Sequence, residues 1–399
     1  MHKTNVKCPE LIADYVVACR RTLHTMPELG AALSETTAFV MGELDAMGIP
    51  YTCVERGGIV AEIGSGEHAF LLRADMDALP IVEESGESFA SQNGRMHACG
   101  HDLHTAMLLG AAKILKAKED TLPGRVKLVF QYGEEIMEGM RVLVEENGLL
   151  DRDKGIGASL ALHVMPGGEM EAGSYSCVAG PANTSIDTFH ITVHGRGAHG
   201  AMQFKSHDPI NVGVQIYHSL SNMIGRELDV REGAVLSTCY FIGGSEAVHN
   251  IIPDSTVLGG TLRTFSSKVA DLVKARIREI CESVDKAYHT ACTVDFPLSA
   301  DACINDETVA DIVNSCAAQL GMRNKRNKPQ LVSDDYSYVS SRIPSCYVWL
   351  GAGGRDPKFV DGVLHTPNVC FNEDAMPFGA ALYADTAEKW LAKKAAENA

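Results

Sequence analysis

The sequence predicts an α/β protein: a largely parallel sheet with helices on both faces, interrupted by an inserted ferredoxin-like α+β domain. Three observations predict this. The chain has 399 residues, more than one ordinary core organises, so two domains are expected. From "GIVAEIG" to "GASLALHVMPG", short apolar runs bounded by Gly or Pro alternate with segments of helical spacing, the pattern of parallel strands joined by helices. Beyond "VAGPANTS", residues 178–185, the strands become strictly alternating, as in a sheet with one open face.

Taken in order, residues 9 to 48 read as helices broken near Met26-Pro27, with Gly48 as a stop. "GIVAEIG" and "HAFLLRADMDALP" are rich in Ile, Val, Leu and Phe and read as strands. "LHTAMLLGAAKILKAKE" spaces Leu, Met and Ile as a helix does, and "RVKLVFQYGEE" is a strand leading to two glutamates. "GMRVLVEENGLL" reads as a helix ending at Gly148, and "GASLALHVMPG" as a buried strand carrying a histidine near its end. Gly180, Pro181 and Asn183 suit a linker. After it, "TFHITVHG", a helix following Asp208-Pro209, "AVLSTCYFIGG", "STVLGGTLRTF", "SKVADLVKARIREICESVDKAY" and "ACTVDF" give the order βαββαβ, that of a ferredoxin-like sandwich. The expected boundaries are therefore 1–183 and 298–399 for the larger domain and 184–297 for the insert.

Apolar residues make up 45% and charged residues 22% of the chain, as in ordinary globular proteins. No apolar run is long enough to span a bilayer. "MHKTNVKCPELIADYV" has neither the apolar run nor the cleavage site of a signal peptide, so a cytoplasmic location is expected. A formal net charge of −16 repels nucleic acid and anionic lipid and argues against both as partners. The 12 cysteines include no CxxC pair and are expected to be mostly buried reduced thiols.

The informative polar residues fall at strand ends, where α/β sheets bind ligands. Asp75 and Asp77 follow one strand; Glu134 and Glu135 close another; His163 closes a third; His365 lies in "VLHTPN". "HACGHDLHT", residues 97–105, adds Cys99 and His101 just before a helix. Thiolate, imidazole and carboxylate are zinc ligands at about 2.0–2.3 Å. Five such groups exceed what one catalytic ion takes, which points to two ions, about 3.5–4 Å apart in hydrolases of this kind. Of the paired glutamates, one can bind metal while the other takes a proton from water. His97 and His104 read equally well as locally hydrogen-bonded histidines or as supports for the ligands, and "DMDALP" also reads as a capped turn.

"RRTLHTMPELG", "LRADMDALP", "HACGHDLHT", "FQYGEE", "LHVMPG", "GRGAHGA", "NIIPD", "GGTLRTF", "SDDYSY" and "HTPN" occur in this order along nearly the whole chain. Together they resemble the amidohydrolase branch of the M20 metallopeptidase family. The resemblance implies a two-metal catalytic domain with an inserted lid and dimerisation domain. It matches Cys99, His101, Glu135, His163 and His365 to the metal ligands, Glu134 to the general base and Asp77 to a ligand-orienting aspartate. His199 matches a lid histidine that reaches the partner subunit's site, and Asn250 and Arg263 match residues that hold the substrate carboxylate. The implied cofactors are two divalent ions per subunit, zinc, manganese or cobalt. The implied reaction is amide hydrolysis of an N-acyl amino acid by a homodimer or a higher homo-oligomer. A dipeptidase of the same family is the rival reading, and a non-catalytic metal- or ligand-binding relative the remoter one. The chain departs from the family pattern at Tyr132-Gly133, where Pro-Ala is common, and at Asp334-Asp335-Tyr336, where Glu-Asp-Phe is common. These departures bear on the substrate, not on the reaction.

Overall fold

The structure, a computed structural model, describes residues 8–397. Residues 1–7, on which the signal-peptide reading partly rests, lie outside the described residues. The chain divides into two compact units. One takes in the chain up to Ala182 with Ile304–Lys328 and Asp334–Ala399; the other is Asn183–Cys303 with Pro329–Ser333.

The first unit opens with α1 (Cys8–His24) and α2 (Ser34–Met47). Ile12, Val16, Cys19 and Leu23 recur at helical spacing and are all buried, so α1 turns one apolar stripe inward. α2 stops where Gly48 adopts φ 65°, the left-handed conformation that glycine takes at low cost. Then come β1 (Tyr51–Val54), β2 (Gly58–Gly64), β3 (Ala69–Asp75), α3 (His101–Lys116), β4 (Arg125–Gln131), β5 (Ile156–Met165) and β6 (Ser174–Ser176). The helix expected over "GMRVLVEENGLL" is broken up. One α turn at Gly139–Arg141 runs into a π turn at Val142–Glu146, and a separate short helix, Leu149–Arg152, follows Gly148. The cause is Asn147, whose backbone N–H (2.9 Å) and side-chain amide (3.1 Å) both donate to the carbonyl of Val142, closing the wider turn.

The second unit is built from β7 (Ile186–His194), α4 (Pro209–Glu227), β8 (Ala234–Gly243), β9 (Ser255–Thr264), α5 (Ser267–Tyr288) and β10 (Ala291–Asp295). Asp208 caps α4, accepting the Ile210 N–H at 2.9 Å, with Pro209 in the first turn. The strands pair antiparallel in the order β8-β9-β7-β10, the ferredoxin-like arrangement. Phe189, Ile191 and Val193 on β7 pack with Val212, Ile216 and Leu220 of α4 and Val273 and Ile277 of α5 in one core. Residues 329–333 join this unit because Val332 accepts the Thr184 N–H at 3.0 Å and Gln330 bridges to Asn183.

The chain then returns to the first unit with α6 (Glu307–Gln319), β11 (Arg323–Asn324), β12 (Ser345–Gly351) and α7 (Met376–Glu397). Its sheet runs β1-β2-β4-β3-β5-β12-β6-β11. The central strands β4, β3, β5 and β12 are parallel; β1, β2 and β6 are antiparallel additions. Every residue of β3 and β12 is buried, as strands covered on both faces must be. α3 is buried on almost all sides and packs against α1 and α7. After β3 the chain adds β4 on one side and β5 on the other, so the strand order reverses at β3. The crevice at such a reversal, beyond the carboxyl ends of the strands, is where α/β sheets take ligands. No helix among the described residues is long and apolar enough to cross a membrane.

Candidate metal centre

The side chains expected to bind metal gather at that reversal. Cys99 and His101 flank Gly100, which caps α3 with φ 88°. A Cβ at Gly100 would lie 2.3 Å from a methyl of Val164, so the close approach to β5 requires glycine. The turn lets Cys99 and His101, the first residue of α3, face the same space. His163 lies on β5 and not at its end, since β5 continues to Met165. Asp75 is the last residue of β3 and not a loop residue. β4 stops at Gln131, and Glu134 and Glu135 lie in the turn beyond it. That turn folds back tightly: a Cβ at Gly139 would lie 1.6 Å from the carbonyl oxygen of Tyr132. His365 has φ 62°, and its N–H donates to Ala98 O at 3.0 Å, tying the last histidine to the Cys99 segment.

Cys99 is the centre of the group. Its Sγ lies 3.3 Å from His163 Nε2 and 3.2 Å from His365 Nε2. His365 Nε2 is 3.5 Å from Glu135 Oε1, and His101 Nε2 is 3.9 Å from Glu134 Oε2. Two triads able to hold an ion therefore share the thiol: Cys99 with His101 and His163, and Cys99 with Glu135 and His365; within each, the donor atoms lie within 4.8 Å of one another. The outer nitrogens of two imidazoles are already engaged. His101 Nδ1 lies 2.8 Å from the Asp77 carbonyl oxygen and His163 Nδ1 lies 2.8 Å from that of Val164, which leaves each Nε2 with its lone pair toward the cluster. His101 Nε2 and Glu135 Oε1 are buried with no hydrogen-bond partner. Buried polar atoms without partners are uncommon in native proteins, and both fit a divalent cation.

Asp77 engages several of the candidate residues at once. Its Oδ1 accepts the backbone N–H of Glu134 at 3.0 Å and its Oδ2 that of Glu135 at 3.1 Å. With its carbonyl oxygen on His101, it positions three of the candidate residues. Among the histidines left open between two readings, His97 is buried with neither ring nitrogen bonded, and His104 has both engaged.

Sequence reading missed the charged layer beneath. Arg73, fully buried in β3, lies 2.6 Å from Asp75 Oδ2, 2.9 Å from Asp334 Oδ1 and 3.1 Å from Asp335 Oδ1. Its Nε donates to Gln131 Oε1 at 2.7 Å, and the Gln131 amide donates to Asp335. The signal was an arginine and a glutamine inside strands that are otherwise apolar. Asp334 and Asp335 form, with Glu134, a further group of closely spaced carboxylates. Burial, then the charges of Asp334 and Glu135, hold the Glu134 carboxyl well above its usual range. Burial pushes Glu135 and Asp335 up to about 7 each. Asp75, Asp334, Asp335 and Glu134 crowd round the one guanidinium of Arg73, and a nearby divalent charge would favour their ionised forms.

In the second unit, His199 and Ile251 are partners in a two-stranded ribbon. Asn250 O accepts the Gly200 N–H at 2.8 Å, so His199 and Asn250 share one exposed corner. Arg263 is half-buried near the far end of β9, and its guanidinium donates to Ser333 Oγ. At a strand rise of about 3.3 Å per residue, roughly 26 Å separate Ser255 from Arg263.

Residues 71–389 match the family model described as Peptidase family M20/M25/M40. The chain is 34% identical to the N-acetyl-L-cysteine deacetylase of Bacillus subtilis, over 94% of this chain and 88% of that protein. It is 35% identical to the IAA-amino acid hydrolase ILR1-like 4 of Arabidopsis thaliana, over 95% of this chain and 86% of that protein. Among solved structures, Bacillus subtilis YxeP, a dinuclear metal binding peptidase from the M20 family, superposes with a TM-score of 0.81 and 30% identity, covering 96% of this chain and 99% of that one. A protein from methicillin-resistant Staphylococcus aureus superposes with a TM-score of 0.90 and 27% identity, covering 96% and 98%.

Proposed function

This chain belongs to peptidase family M20/M25/M40 and is a hydrolytic enzyme, and from that premise we propose that it hydrolyses N-acyl amino acids to a carboxylic acid and an amino acid with two divalent metal ions. The observation that carries the reading is Cys99, whose thiol is shared by two donor triads while Glu134 stands beside them. Cys99, His101, Glu135, His163 and His365 would hold the ions, and the sharing of one sulfur supports two ions rather than one. Mixed thiolate, imidazole and carboxylate donors suit zinc, manganese or cobalt. When bound, such ions lower the pKa of water and polarise an amide carbonyl.

The chain's own residues supply the rest. Glu134 takes the proton of the attacking water and passes it to the leaving nitrogen. Asp77 fixes the turn that carries Glu134 through the two amides it accepts. The first unit acts as the catalytic domain and the second as the lid and dimerisation domain; against the expected bounds of 184–297, the second unit also takes in Asn183, 298–303 and 329–333.

We assign His199 to the reacting oxygen and Asn250 and Arg263 to the substrate carboxylate. The length of β9 separates the His199–Asn250 corner from Arg263, so one substrate meets both only if two copies contribute. A homodimer is part of the proposal for that reason. β8 favours it: this ten-residue edge strand leaves Val235, Tyr240, Phe241 and Ile242 exposed, a ready template for pairing with a second copy. Ile242→Lys should convert the dimer to monomer in light scattering.

The decisive test loads the purified protein with zinc, manganese or cobalt. It is then offered N-acetyl, N-benzoyl and indoleacetyl amino acids alongside dipeptides, with mass-spectrometric detection. Release of acid and amino acid from the N-acyl substrates is expected. Preferential cleavage of dipeptides would replace the reading with a dipeptidase, and no turnover on any amide would remove it.

A further inference from the structure

β3 and β5 pair only as far as Arg73 and Ala161. β5 runs on to Met165 beside β12. On its open side the amides of Leu162 and Val164 have no β3 carbonyl to meet, and buried amides require acceptors. Side chains supply them. Tyr383 Oη accepts the Leu162 N–H at 3.0 Å and donates to Arg73 O at 2.6 Å, bridging the strands where they part. His104 Nε2 accepts the Val164 N–H at 2.9 Å.

That bond fixes the state of His104. With Nε2 accepting, the proton is on Nδ1, which donates to Asp75 Oδ1 at 2.6 Å. Asp75 is held in turn by Arg73 at 2.6 Å through its other oxygen, and its carbonyl accepts the Thr105 hydroxyl at 2.9 Å. Arg73, Asp75 and His104 are all buried. The chain of contacts ends at a candidate ligand. The carbonyl of Val164 accepts from His163 Nδ1 at 2.8 Å, and the His104 ring lies edge-on to the His163 ring, 4.6 Å between centroids. His104 is thus unavailable as a metal ligand, yet it borders the ligand that β5 carries.

We propose that His104, oriented by Asp75, is a positioning residue that anchors β5 on the side that β3 leaves open and so holds the His163 ring with Nε2 toward Cys99 and a bound metal. The proposal rests on the metal-dependent reading above. An apolar side chain of the same size would fill the space but leave the Val164 amide without an acceptor. β5 would then be held at Val164 from the β12 side alone, and the carbonyl that His163 Nδ1 meets would be less firmly placed.

The test measures zinc affinity of the apoprotein by competition with a chelator, and the tautomer of His163 by nitrogen-15 NMR. His104→Phe keeps a ring and removes the acceptor; His104→Gln keeps an acceptor. The Phe variant should bind zinc about 10–100-fold more weakly, the range for residues that orient ligands. It should also lose the single Nδ1–H tautomer of His163, and His104→Gln should recover most of both. A folded His104→Phe with wild-type zinc affinity and one His163 tautomer overturns the proposal, as does equal weakening by Phe and Gln. If the Phe variant does not fold, Asp75→Asn carries the test: weaker zinc binding is expected, and unchanged binding overturns the idea. Wild-type protein that binds no divalent metal would instead remove the metal-dependent reading itself.

Discussion

The Asp77 carboxylate accepts the backbone N–H of Glu134 at 3.0 Å, and its second oxygen accepts that of Glu135 at 3.1 Å. An aspartate two positions beyond β3 therefore sets the direction in which both glutamates leave their turn. Asp77→Ala should free that turn and lower kcat by about 10–100-fold, the scale seen when ligand-orienting partners are removed. Steady-state kinetics beside elemental analysis checks this; wild-type kcat in a metal-loaded variant would show that the two amides need no anchor.

Glu134 faces the cluster without being needed to complete either triad that shares Cys99. Glu134→Gln should keep its metal content and lose about 10²–10⁴-fold in kcat, the usual contribution of a general base. Loss of metal together with activity would instead make Glu134 a ligand.

Cys99 belongs to both of those triads, so its removal should disturb both ions. Cys99→Ala should weaken metal binding by more than the ~10–100-fold typical of changes around the ligands, with turnover lost in proportion. Metal titration followed by mass spectrometry of the intact protein reads the stoichiometry. Two ions retained at wild-type affinity would exclude the shared thiolate.

Behind α3, His24 Nδ1 lies 2.7 Å from Asp102 Oδ2 and its Nε2 3.0 Å from Glu83 Oε1. Burial opposes its protonation, but Asp102 and Glu83 outweigh burial and raise its pKa from 6.5 to about 9. A pKa higher in the folded state means that the unfolded chain releases this proton first. The stabilisation is complete below pH 6.5 and fades as the pH rises to about 9, an upper bound of about 3 kcal/mol. Denaturant unfolding across this range should show wild-type stability falling toward that of His24→Gln. A constant gap between the two curves would mean that the pair carries no charge.

Much of this was legible in the chain. Strand and helix alternation, the change to a one-sided sheet after the 178–185 linker, and the polar residues at strand ends all follow from side-chain period and from where Gly and Pro fall. Residues that bond through the backbone were harder to read. The sequence leaves Asp77 as a turn cap or a ligand-orienting group, and it does not reveal which groups the residue holds: the amides of Glu134 and Glu135 and the imidazole of His101. Arg73, Asp334 and Asp335 come from segments more than 250 positions apart, and only the packed sheet makes them one network.

The sequence by itself determined the α/β fold, the inserted βαββαβ unit and the identity of the metal-capable side chains, because period and residue chemistry are local properties. Tertiary structure alone decided that Cys99 is the sulfur two triads share and that His104 accepts a backbone amide of β5. Those outcomes depend on where β3 stops pairing with β5 and on which groups are buried together, and neither is set within any short stretch of chain.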